Sequence, residues 1–292
     1  MRVTEAMMLN SAIQNESTAA SQMAQLTQEA SSGLRVSQPS DDPAAWSSIQ
    51  QQDSTMSVLK ARSAAATQAG GDLNLAESTL DSANNLVVQA QSIAVEAANG
   101  TEDASDRANA ATQIASISQQ LLALANARGA TGYLFGGTAT ATPPFDATGT
   151  FQGNADSTQL EIADGVYATS NASGADAFTA AGGTDVFATL QGLATALSAN
   201  DTTGINTSAS ALQSASSQLV AARIGAGLSA DRLTSAATVM GNAVTQIQVS
   251  VANVADADAP STLSDLQAAQ TAYQAAIEVN KQVLSVSLSA TG

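Results

Sequence analysis

The chain contains no cysteine and no histidine. The first absence removes disulfides, thiolate nucleophiles and thiolate metal sites. The second removes the commonest general base and the commonest transition-metal ligand. Aromatics make up 3% of residues and prolines number five. Basic residues are scarce as well: nine Lys and Arg face 25 Asp and Glu, a formal charge of −16. A phosphate-binding surface needs clustered Lys and Arg, so nucleic acid is not an expected partner. There is no apolar run near the roughly 20 residues of a membrane span, and no hydrophobic signal segment, because Asn10 and Ser11 follow Met7, Met8 and Leu9. The chain is therefore expected to stay out of membranes. It is expected in the cytoplasm, or exported by a route that reads no cleaved hydrophobic signal.

What the chain has instead is alanine, 63 residues of 292. Alanine is the best helix former but buries little area. Long helices packed closely on small side chains are expected, rather than one thick core. Charged residues are 12%, about half the usual quarter, which points to extensive burial against other chains.

The prolines fall at Pro39 and Pro43, Pro143 and Pro144, and Pro260, leaving long stretches without such breakers. Seven of the nine aromatics lie between Tyr133 and Phe187, and eleven of the 20 glycines between Gly129 and Gly192. No Lys or Arg occurs from Gly129 to Ala222. The middle thus differs from its flanks.

The flanks read as helix. Leu233, Ala237, Met240, Val244, Ile247, Val251 and Val254 recur at alternating spacings of four and three, a heptad seam. Leu73, Ala76, Leu80, Ala83, Val87, Ala90, Ala94 and Ala97 form another stripe, ending at Asn99 and Gly100. Further helices carry Ile114, Ile117, Leu121 and Leu124, and Ile205, Ala209, Leu212, Ser216 and Leu219. A helix from about Ala44 to Thr67 is expected to stop before Gly70 and Gly71, with Asp41 or Asp42 as its cap and Pro43 in its first turn.

The two ends are weaker heptads. The N-terminal seam reads Ala6, Leu9, Ile13, Ala20, Met23 and Ala30, with Glu16 and Thr27 out of pattern. The C-terminal seam reads Leu263, Leu266, Tyr273, Ile277 and Leu284, with Gln270 and Asn280 out of pattern. Such polar seams are marginal alone; they pair with each other or form on assembly. In the middle, Gln159–Ala163 alternates polar and apolar, Asp164 and Gly165 make a hairpin turn, and Val166–Ala168 returns. Residues 138–185 are expected to be short strands. The fold class is mainly α, a long helical hairpin or coiled-coil rod with a small central β insertion and paired termini. The segments are a coiled-coil arm at 1–38, a helical rod at 39–137 and 187–255, a β-rich insertion at 138–186, and a second arm at 256–292.

Motifs that could carry chemistry have plainer readings. Gly225–Ala226–Gly227–Leu228–Ser229–Ala230 matches a degenerate dinucleotide fingerprint but lacks a preceding strand, and reads as a helix break or kink. Asp41 and Asp42, and Asp256 and Asp258, lack the companions of a calcium loop and read as caps and turns. Glu102, Asp103 and Asp106 suit the start of the Ile114 helix. Lys60 and Lys281 lie on helices and show no sign of a desolvated catalytic lysine. No catalytic residue, metal or cofactor is expected.

One string is more specific. SSGLRVSQPSDDPA, residues 31–44, with its turn at Pro39, Ser40, Asp41, Asp42 and Pro43, resembles the N-terminal signature of the bacterial flagellin family. Ala222–Arg223–Ile224–Gly225 ahead of the Leu233 heptad, and the final amphipathic helix, are similar to the same group. Within the family, the middle resembles the hook–filament junction branch, the third hook-associated proteins. The carriers are Tyr133–Leu134–Phe135–Gly136–Gly137, Pro143–Pro144–Phe145, Phe151–Gln152–Gly153–Asn154 and the run from Asn171 to Phe178. The end, Ser289–Ala290–Thr291–Gly292, departs from the apolar finish usual in the family.

The resemblance implies a non-enzymatic flagellar subunit, exported through the flagellar type III apparatus with the help of an export chaperone. Its terminal helices would pair as an inner coiled coil and assemble copies of itself into a helical layer. The first hook-associated protein would lie below and flagellin above. A filament flagellin is the nearest alternative, and a cytoplasmic helical signalling hairpin the next.

Overall fold

A computed structural model describes the backbone of residues 5–100 and 102–290, and the side chains of residues 7–100 and 102–285. The fold is mainly α. Among the described residues, seven helices, α1 Glu5–Ser32, α2 Pro43–Ala97, α3 Ala104–Ala125, α4 Gly174–Phe178, α5 Val186–Ser198, α6 Thr202–Ala255 and α7 Ala259–Ala290, accompany one two-stranded sheet, β1 Gln159–Ala163 with β2 Val166–Thr169. By its contacts the chain divides into two compact units, residues 58–242 and residues 1–57 with 243–292.

In the first unit the alanine-rich stripe behaves as its spacing predicts. Leu73, Ala76, Leu80, Ala83, Val87, Ala90 and Ala94 are all buried, and so are Ile114, Ile117 and Leu121 of α3 and Ile205, Leu212 and Leu219 of α6. Small side chains let α2 and α6 approach closely. Ser63 Oγ donates to the Ala237 carbonyl at 3.2 Å, and Ser216 Oγ to Asn84 Oδ1 at 2.7 Å.

The expected helix end before Gly70 does not occur, and neither does a break at Gly225. α2 runs straight through Gly70 and Gly71. A Cβ on Gly70 would already lie 3.5 Å from Thr234 Oγ1 and 3.7 Å from the Ala230 carbonyl. Those are ordinary van der Waals distances, so α6 lies beside the glycine without demanding one, and burial of the flanking stripe outweighs the roughly 1 kcal/mol helix penalty of each glycine. α6 likewise continues through Gly225 and Gly227. Buried Ala226 and Ala230 keep its inner face packed there, and the Gly227 position stands 3.4 Å from the Glu77 carboxyl carbon.

The middle is less β-rich than its composition suggests. β1 and β2 pair antiparallel with Gln159 opposite Thr169, and their turn holds Gly165 at φ 73°. Arg62 of α2 ties the hairpin down through Glu161 at 2.9 Å and Asp164 at 2.8 Å. The rest consists of turns, single bridges such as Phe145 with Phe151, α4, and a 3-10 turn at Ala180–Gly182. Glycine, proline and aspartate favour such turns over extended strands, and the segment's apolar mass gathers in a ring cluster instead. Phe145 meets Phe151, Phe178 and Phe187 at centroid distances of 5.1, 5.5 and 5.3 Å. Asn126, just past α3, clamps Phe145 by accepting from its N–H at 3.0 Å and donating to its carbonyl at 2.9 Å.

Asp103 caps α3, accepting from the Ser105 and Asp106 amides. Arg107, 5% exposed, ties the same corner together. Its Nε donates to the Ala97 carbonyl at 2.8 Å and its Nη2 to the Asn99 carbonyl at 3.0 Å. Its Nη1 donates to Asn200 Oδ1, on a residue held at φ 56° in the turn between α5 and α6. The cation thus sits where the α2 dipole is negative. We expect Arg107→Met to lower unfolding free energy by about 3 kcal/mol in urea titrations, because two carbonyls and one amide lose a charged donor together. Arg107→Lys should recover little, since an ammonium cannot span the three acceptors as the fork does. A Lys variant as stable as the parent would contradict this account.

The candidate assembly interface

The second unit carries most of the candidate assembly residues. Between α1 and α2 the chain turns over Gly33 to Asp42. Proline pre-sets φ for the second position of a turn, and Pro39 occupies it: the Asp41 amide donates back to the Gln38 carbonyl at 3.1 Å. Asp41 then folds its carboxylate onto the preceding residues, accepting from the Ser37 and Gln38 amides at 2.9 and 3.0 Å. The Ser37 backbone, followed by the Gln38 side chain, holds the Asp41 carboxyl below the ordinary aspartate range. Asp42 is the helix cap, accepting from the Ala44 and Ala45 amides at 3.1 and 3.0 Å ahead of Pro43. Each member of the Pro39–Pro43 motif therefore has a local task, Ser40 lying in the turn itself.

This turn docks on the end of α6. The Arg35 and Val36 amides donate to the Ala255 carbonyl at 2.7 and 3.2 Å, and the Ala257 amide donates to the Gly33 carbonyl at 2.9 Å. Arg35 Nη2 reaches the Val254 carbonyl at 2.8 Å. Val36 fills a small core with Ile49 and Ala255, bordered by Ala45, Trp46, Val251 and Val254. Asp256 belongs to this junction as a turn residue, bridging Leu34.

The rod seam points inward at every position. Leu233 and Met240 are buried in the first unit; in the second, Val244 is buried and Ile247, Val251 and Val254 are half-buried.

The terminal helices α1 and α7 pack against each other. Leu9, Ala20 and Met23 on α1, and Leu266, Tyr273 and Ile277 on α7, are half-buried. Ile13 and Ala30 are exposed, as are Leu263 and Leu284, so these four stay outside the α1–α7 contact. The side chain of Ala6 lies outside the described residues, as do those of the terminal stretch from Ser289 to Gly292. The inward positions also include Ala12, Ala269 and Thr262, which the spacing argument passed over. The heptad positions on either side of Ile13, Leu9 and Glu16, still face inward, and at this turn the covered residue is Ala12 rather than Ile13. The useful signal was polar. Glu16 and Asn280, each out of pattern in its own helix, meet across the pair through a hydrogen bond from Asn280 Nδ2 to Glu16 Oε2.

Apolar side chains remain on the outside of these helices. Met7, Met8 and Ile13 of α1 are exposed, as are Leu263, Val279 and Leu284 of α7. Lys281 pairs with Glu278 on its own helix, at 3.6 Å. Among the described residues no cluster of acidic side chains could hold a metal ion, and no helix is long and apolar enough to cross a membrane.

Residues 3–140 match the family described as the bacterial flagellin N-terminal helical region. The chain is 29% identical over 164 residues to flagellar hook-associated protein 3 of Salmonella typhimurium, a stretch covering 56% of this chain and 52% of that protein. It therefore spans about half the length of the curated relative it matches. Among solved structures, FlgL of Xanthomonas campestris shares its fold with a TM-score of 0.62 at 16% identity, over 69% of this chain and 99% of that one. FlgL of Bacillus cereus does so with a TM-score of 0.58 at 18% identity, over 70% and 99%. With the Pro39–Pro43 turn seated on α6 and α1 paired with α7, the chain is similar to the bacterial flagellin N-terminal region over residues 3–140 and to hook-associated protein 3 over about half its length.

Proposed function

We propose that the protein is a structural subunit of the bacterial flagellum that forms the layer joining hook to filament. The observation carrying this reading is the outer surface of the terminal helices. α1 and α7 bury one face against each other and leave Ile13, Leu263 and Leu284 exposed on a chain with few charges. Such side chains are covered when copies stack. Similarity to a protein named for hook association supports the position between hook and filament. In this reading residues 1–38 and 256–292 are the assembly arms, 39–137 and 187–255 the rod, and 138–186 the outer insertion. Copies of the chain form a helical layer, with the first hook-associated protein below and flagellin above. Export proceeds through the type III apparatus with a chaperone's help, without a cleaved signal. The role is structural and involves no catalysis.

Removing the gene from its host tests the reading. Electron microscopy should show bare hooks, with flagellin shed into the medium, because export continues while the filament has no seat. Hooks carrying normal filaments would indicate a dispensable filament subunit instead. Unchanged flagella with an altered swimming bias would indicate a signalling role.

A further inference from the structure

The α1–α7 seam holds one layer that hydrophobic packing does not explain. Glu16 is half-buried and Asn280 is 7% exposed, at positions where a heptad asks for apolar side chains. Asn280 Nδ2 donates to Glu16 Oε2, while Asn280 Oδ1, equally enclosed, has no donor. An ionised carboxylate only accepts hydrogen bonds, so Glu16 serves one edge of the amide and leaves the other open. Replacing both residues by apolar ones would remove this defect. The pair is therefore poorly explained as a contribution to stability.

We propose that Glu16 and Asn280 are a register lock, the polar pair that fixes which turn of α1 faces which turn of α7. The two helices run antiparallel: Leu34, just after α1, bridges Asp256, just before α7, whereas Glu16 meets Asn280 far along both. The neighbouring inward positions, among them Leu9, Ala12, Met23, Ala269 and Tyr273, are small or apolar. Such side chains repack after a slide of one heptad with little loss. The same slide sets Asn280 beside Leu9 or Met23, where neither amide edge finds a partner, and sets Glu16 beside Tyr273 in one direction. A single polar layer thus discriminates between registers that the apolar layers tolerate. Register decides how the outward side chains of the two helices, Ile13 and Leu284 among them, line up along the pair. That consequence rests on the proposed assembly role, but the lock does not, and its test uses the purified full chain alone.

The absence of cysteine makes cross-linking direct. Counting along the helices from the Glu16–Asn280 contact, Ala20→Cys with Ala276→Cys reports the native register. Ala20→Cys with Ala269→Cys reports the register slipped by one heptad. The parent should cross-link through the first pair and not the second. In the E16L/N280L background the slipped pair should rise roughly tenfold over the parent. E16Q should give the native pair alone, with slower hydrogen exchange across α1 and α7, because a glutamine amide donates to Asn280 Oδ1 while accepting from Nδ2. A silent slipped pair in E16L/N280L, both pairs or neither in the parent, or an E16Q variant that slips would each overturn the lock.

Discussion

Ile13→Asp should abolish the proposed junction assembly while leaving the proposed export and the folded subunit intact. Ile13 is 51% exposed on α1, so a carboxylate there keeps its hydration in the isolated chain. On stacking, the same position loses water. Covering an isoleucine contributes roughly 1.5–3 kcal/mol per subunit, whereas burying an unpaired carboxylate is opposed by several kcal/mol. The sign of the contact reverses at every copy in the layer. Leu284→Asp, on a residue 45% exposed, should behave alike. The measurement is subunit in the medium against subunit in purified flagella, with helical circular dichroism of the purified variant. Ala12→Asp is the informative contrast: Ala12 is 7% exposed against α7, so it should raise hydrogen exchange in both terminal helices before assembly begins. Normal filaments on cells making only Ile13→Asp would rule out this surface as the contact.

The second large effect lies in the first unit. Phe145→Ala should cost about 4 kcal/mol of unfolding free energy, the upper part of the range for large-to-small core changes. Phe145 is 2% exposed and its ring meets three other phenylalanines. Its backbone is held at both N–H and carbonyl by Asn126, so the segment cannot move to fill the hole. Phe151→Ala, at the half-buried edge of the same cluster, should lose clearly less. Urea unfolding of both variants decides this; equal losses would mean that the cluster relaxes around either ring.

These two sites differ in how far the amino-acid order anticipates them. The stripe from Leu73 to Ala97 was legible because its period is that of a helix and each position is apolar, so no partner had to be known. The Pro39–Pro43 turn was legible for a similar reason, since proline geometry and aspartate capping act over two to four residues. Asp42 does cap α2, and Asp41 does fold onto Ser37 and Gln38. The Asp164–Gly165 hairpin also follows from local turn chemistry.

What the order could not convey was anything depending on distant chain. Gly70, Gly71, Gly225 and Gly227 carry breaker propensity, yet α2 and α6 continue, because burial of the flanking apolar stripes outweighs the helix penalty of each glycine. Arg107 gave no sign of its role, since its acceptors come from two separate segments, Ala97 and Asn99 around the end of α2 and Asn200 before α6. The inner face of α1 escaped a heptad count because Ala12 is as small as many outward alanines, and only the partner helix decides which one is covered. Composition and period thus determined that the chain is helical, alanine-packed and turned at Pro39–Pro43. Tertiary structure alone decided where its helices end, which glycines are contacts, and that Glu16 meets Asn280. Propensity is a weak local term, and the free energy of burying a shared face exceeds it.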